Sequence, residues 1–81
     1  MKAKYNVYRE TGFDPETRTY VKKLFKTFKN ERDALSYYND PKNTRAYGTL
    51  YLEMVNNAGR FDWNDFTHTW HKRSEFAAES L

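Results

Sequence analysis

Leucine, isoleucine, valine and phenylalanine together supply only 14 of the 81 residues, and isoleucine is absent. A chain this poor in aliphatic side chains is at the level where composition points to disorder, because too little apolar surface exists to offset the entropy of ordering. Seven tyrosines and two tryptophans beside the six phenylalanines reverse that expectation. Each buried ring removes a large apolar area from water, and a formal net charge of +3 is too weak to force the chain apart. The composition therefore predicts one folded domain over residues 1–81, built on an aromatic core. At this mass a folded surface of about 5,200 Å² replaces about 14,000 Å² in the extended chain, which allows one core and not two. Fifteen rings are more than so small a core encloses, and tyrosine is commonly left half exposed. Part of the aromatic complement is expected at a contact surface.

The absence of cysteine excludes a disulfide framework, a thiolate metal site and a cysteine nucleophile. Met1 to Asn6 carries charge with no apolar run behind it, unlike a secretory signal, and no stretch approaches the roughly 20 apolar residues of a membrane span. A soluble, cytoplasmic protein is expected, with no membrane association and no cofactor. Charge is uneven. Residues 1–30 hold eight basic and three acidic residues, residues 31–64 hold four and five, and residues 65–81 hold two and three. No internal repeat, linker or low-complexity segment breaks the chain.

Ala3, Tyr5 and Val7 alternate with Lys4, Asn6 and Tyr8, the period of a half-buried strand. Thr11 to Thr17 follows as a turn, with Gly12 and the Asp14-Pro15 pair. In the next segment Val21, Leu24, Phe25 and Phe28 stand at helical spacing. Asn30-Glu31-Arg32-Asp33 is itself a helix start, however, and a fresh cap inside a continuous helix would be wasted. We therefore read a strand from about Arg18 to Phe28, then a helix from Glu31 that buries Ala34, Leu35 and Tyr38 and stops before Asp40-Pro41. Tyr47 to Val55 alternates as a strand, Asn56 to Gly59 turns, and Arg60 to Trp63 returns as a short strand. From Asn64 onward Phe66, Trp70 and Ala77 share a helical face, predicting a C-terminal helix that docks through Phe66 and Trp70 and frays after Phe76, leaving 77–81 as a tail. The expected fold is α+β in the order β-β-α-β-β-α: an antiparallel sheet of three to four strands with one or two helices on one face.

Asp65, His68, His71 and Glu75 form the one constellation of catalytic residue types. On a helix, His68, His71 and Glu75 would lie within about 60° of one another and could face a metal. A solvated polar face explains the same spacing, and no metal is assigned. Small basic ribonucleases work with His, Lys, Arg and Tyr alone, so His68 or His71 as base with Lys23 or Arg73 beside a phosphate is a lesser alternative. The three glycines are isolated and the serines sit in no nucleophile elbow. No enzyme is expected.

Two binding readings remain. As a strand, residues 20–28 would offer Tyr20, Lys22, Leu24, Lys26 and Phe28 on one face, so Tyr20 with Lys22, Lys23, Lys26 and Lys29 would suit single-stranded DNA or RNA. The aromatic RNP strings and the GXXG loop of RNA-binding modules are absent. A protein partner explains the surplus of Tyr, Trp and Arg with fewer assumptions. The contact residues expected on that reading are Tyr51, Trp63, Tyr47, Arg45 and Arg60. The expectation is a non-enzymatic binding protein, monomer or homodimer, acting on a protein partner. Small basic domains of this kind recur, by analogy alone, among phage and mobile-element accessory proteins that inhibit nucleic-acid-handling machinery.

Overall fold

The structure, a computed structural model, describes residues 2–73, which form five strands and two short helices. Strands β1 (Lys4–Asp14) and β2 (Thr19–Phe28) make a hairpin, helices α1 (Glu31–Asn39) and α2 (Pro41–Tyr47) follow, and β3 (Leu50–Asn56), β4 (Gly59–Asn64) and β5 (Thr69–Lys72) complete the described part. The strands lie in the order β2-β1-β3-β4-β5, each antiparallel to its neighbours. The α+β class is as expected. Among the described residues the sheet has one strand more than the upper expectation of four, and the last element is a strand.

One face of the sheet is covered. Val7 pairs across to Leu52 and Arg9 to Leu50, and Val7, Leu50 and Leu52 with Ala34 of α1 form the buried apolar core. Tyr5, Phe28, Tyr37, Tyr38, Trp63 and Trp70 pack around those four. The core is therefore a small aliphatic centre in an aromatic collar. Helix α1 begins where the sequence places it: Asn30 accepts from the Asp33 backbone N–H at 2.9 Å and its own amide donates to the Asp33 carboxylate. Asn30→Ala should lower stability by about 1 kcal/mol and Asn30→Gly by a few tenths, read as shifts of the urea midpoint.

Residues 20–28 are strand, and their helical periodicity is not used for burial. Phe28 packs on the core, whereas Val21, Leu24 and Phe25 remain exposed. A bulge leaves Phe25 as the extra residue, because Tyr8 pairs with Leu24 and Val7 with Lys26. This shift moves Lys26 and Phe28 to the helix-covered side, where Lys26 lies over the Phe28 and Tyr37 rings. The single face expected to carry Tyr20, Lys22, Leu24, Lys26 and Phe28 therefore does not form.

Tyr47 is also displaced from its expected place at the start of a strand. Asp40 accepts from the Lys42 backbone N–H, Pro41 occupies the first turn, and the second helix runs through Tyr47, so β3 starts only at Leu50.

The expected C-terminal helix is overturned over residues 64–72; its remainder from Ser74, including Glu75, Phe76 and the tail 77–81, lies outside the described residues. Asn64 side-chain oxygen takes the backbone N–H groups of Phe66 and Thr67, closing a turn, and Trp63 then pairs with Trp70. Phe66, expected to dock, is 97% exposed. Trp70 does dock, against Tyr5 and Trp63, and donates to Glu31 at 2.6 Å.

This turn repeats the first one. Asp14-Pro15-Glu16-Thr17-Arg18-Thr19 and Asn64-Asp65-Phe66-Thr67-His68-Thr69 share an acceptor side chain at the first position bonded two residues on. They also share a 2.7 Å contact between the two threonine hydroxyls and a left-handed fifth residue, Arg18 at φ 57° and His68 at φ 55°. The flanking pairs Phe13–Tyr20 and Trp63–Trp70 both meet edge to face at 65°, 5.1 and 5.2 Å apart. Strands β1 and β4 run the same way, so both turns stand at one end of the sheet.

Candidate functional site

The uncovered face centres on a carboxylate. Glu53 is 3% exposed although it lies on the side of the sheet away from the helices. Strand pairing brings Asn6 opposite it on β1 and Asp62 opposite it on β4. Asn6 and Tyr8 donate to its Oε1 at 3.0 Å, Arg60 reaches Oε1 at 3.3 Å, and Arg73 reaches Oε2 at 2.8 Å while also pairing with Asp62. Burial alone would raise the Glu53 carboxyl; the hydrogen bonds from Asn6, Tyr8 and Arg73, with the charge of Arg73, outweigh it and hold the group below the usual carboxylate range. Nothing in the sequence singled out Glu53, which the alternation of Leu50, Leu52 and Met54 assigns simply to the solvent side.

Beyond the Glu53–Asp62 pair, no further pairing joins β3 to β4. A cleft of about 540 Å³ opens there, lined by residues that include Tyr8, Tyr38, Tyr51, Trp63, Lys22 and Arg60. Lys22 sits 3.9 Å above the Tyr51 ring. Tyr51 donates to Glu10, a bond that, with burial, raises its pKa; Tyr38 is raised further, by burial and by its 2.7 Å bond to Asp65. These phenols stay protonated, as donors. Three of the five expected contact residues, Tyr51, Trp63 and Arg60, thus meet in one cleft. Arg45 and Tyr47 lie on α2, and Arg45 does not line the cleft.

The second feature is the outer edge of β2. Nine of its ten residues are exposed, among them Tyr20 at 56%, Val21 at 45%, Leu24 at 56% and Phe25 at 37%. Large apolar side chains left exposed together along one edge are a feature of interaction sites. The residues 10–14 of β1 that pair with its first half extend past the last β1–β3 pair, Arg9 with Leu50, so this end of the hairpin projects as a two-stranded arm. Lys22 and Tyr20 lie toward the uncovered face, Lys23 opposite Arg9 toward the other, and Lys29 follows the strand. The five residues expected to bind nucleic acid are therefore distributed over both faces of one edge.

The helical metal constellation has no helix to stand on. Asp65 and His68 are in the turn, His71 is on β5 with Nε2 near the Thr67 and Thr69 hydroxyls, and His68 packs edge-on to Trp63. Among the described residues, no group of three or more His, Cys, Asp or Glu is placed to hold a metal ion. The ribonuclease pairing of His71 with Lys23 would have to span the sheet from β5 to β2, its opposite edges. No helix among the described residues is long and apolar enough to cross a membrane. No protein-family model, curated protein or solved structure matches the chain.

Proposed function

We propose that this is a non-enzymatic binding protein that acts by covering a surface of a protein partner, as an inhibitor or accessory factor, through the apolar and basic edge of β2. The observation that carries this reading is a strand with nine exposed residues of ten, four of them large and apolar, at the edge of the sheet with no strand beyond it among the described residues. Direct binding of single-stranded nucleic acid is the weaker alternative. The arginines of the uncovered face are paired with Glu53 and Asp62, and the lysines point to two sides, so no single row of cations tracks a phosphate backbone.

The test is capture by the tagged full chain from host lysate, with and without nuclease, followed by mass spectrometry. A stoichiometric protein that survives nuclease is expected, and Tyr20→Ser with Leu24→Ser should abolish its capture. Both positions are more than half exposed, but Tyr20→Ser also removes the edge-to-face contact with Phe13, so stability should fall by about 1 kcal/mol. Recovery of nucleic acid, with all proteins lost after nuclease, would overturn the reading.

A further inference from the structure

We infer that the outer edge of β2 receives one acidic, apolar-flanked extended segment of the partner as an added antiparallel strand; the inference rests on the protein-partner reading. Among the described residues no strand pairs with that edge. An open edge presents backbone donors and acceptors in a fixed row, and an extended peptide satisfies them while its alternate side chains supply specificity.

Charge selects the occupant. Strand β2 reads Thr-Tyr-Val-Lys-Lys-Leu-Phe-Lys-Thr-Phe, with three lysines and no acidic residue. Lys22 and Lys26 rest over aromatic rings, and among the described residues neither they nor Lys23 forms an ion pair. A second copy paired edge to edge would line up the lysines of both strands with no carboxylate from either, which like-charge repulsion opposes. The same lysines exclude indiscriminate strand addition, a common protection of open edges.

A second irregularity leaves Thr11 as an extra residue on β1 between the Glu10–Lys22 and Gly12–Val21 pairs, but β2 itself runs without an extra residue up to the Phe25 bulge, so the segment available for pairing is Thr19 to Leu24. Opposite Tyr20-Val21-Lys22-Lys23-Leu24, an antiparallel partner needs, from its N-terminus, an apolar residue, two acidic residues, an apolar residue and an aromatic one. Its two faces would then set apolar against apolar and carboxylate against ammonium.

The probe is a fluorescein-labelled synthetic peptide with that five-residue core, titrated into the full chain and followed by anisotropy. Saturable binding is expected, weakened about tenfold or more when the two acids are replaced by lysines. Methylating the backbone nitrogens of one alternate set of peptide residues should abolish binding, whereas methylating the other set should leave it, because only one set faces the β2 edge. Lys23→Glu, which gains Arg9 opposite it and so should fold, leaves one ammonium and one carboxylate facing the peptide and ought to cancel the native chain's preference for the acidic peptide. Equal sensitivity to both methylation sets, equal binding of acidic and basic peptides by the native chain, or no binding would overturn the inference. So would a dimer in sedimentation that Tyr20→Ser with Leu24→Ser abolishes, since a second copy would then hold the edge. A protein captured from lysate despite a failed peptide would mean that the partner reading stands and the strand-addition mode does not. Capture of no protein would remove both.

Discussion

Glu53→Ala is expected to destabilise the protein by about 3 kcal/mol, at the lower end of the range for breaking a buried ion pair because both arginine partners are half in water. The loss has a definite origin. Removing the carboxylate leaves Asn6, Tyr8, Arg60 and Arg73, four donors drawn from β1, β4 and the end of β5, pointing at an empty site. Glu53→Gln should recover only part of the loss. An amide offers one oxygen and one donor nitrogen, so it opposes a donor either to Arg73 or to the cluster of Asn6, Tyr8 and Arg60. The pH dependence has a fixed sign. The folded-state pKa of Glu53 is lowered, so its ionisation stabilises the fold fully above the unfolded value of about 4.3 and ceases to do so as pH falls through the folded value. Urea titrations across that interval should show the gap between the native chain and Glu53→Gln narrowing as acid is added. A constant gap would mean that shape rather than charge holds the network.

The β1–β2 and β3–β4 hairpins, the first helix with its Asn30 cap and the turn at Asn56 to Gly59 are legible in the sequence because each is encoded locally, by alternation or by a capping side chain. The C-terminal element was not, because Phe66 and Trp70 happen to stand at helical spacing while the deciding signal was the turn. That signal was present twice, as an aromatic residue, Asp or Asn, two free positions, Thr, a free position, Thr and an aromatic residue. At eight residues it is too short to stand out as an internal repeat. The candidate site was half legible. Tyr51, Trp63 and Arg60 meet because β3 and β4 part beyond Glu53, a separation that no local pattern announces. Alternation alone cannot place the lysines of β2, since one bulge at Phe25 reassigns every side chain after it. Glu53 was invisible for a related reason. A carboxylate on the uncovered face is ordinarily solvated, and only the three-strand register that gathers Asn6, Tyr8, Arg60 and Arg73 makes it buried.

Leu52→Ala is expected to cost about 2 to 5 kcal/mol and lower the thermal midpoint by about 10 to 30 °C in a domain of this size. Leu24→Ala, the same chemical change two strands away, should stay within about 0.5 kcal/mol. Leu52 is 4% exposed, faces Val7 across β1 and β3, and is one of four residues in the buried apolar centre; Leu24 is 56% exposed on the edge strand. A chain with five leucines in 81 residues has little apolar material to spare for stability, and a domain this small holds only about 4 to 12 kcal/mol in total. Placing Tyr20, Val21, Leu24 and Phe25 in water leaves the core with Val7, Ala34, Leu50 and Leu52 inside a ring of aromatics. That division makes sense for a chain whose edge is covered by something else when it acts. If Leu24→Ala proved as costly as Leu52→Ala, the edge would belong to the fold itself, and its exposed rings would no longer argue for a partner.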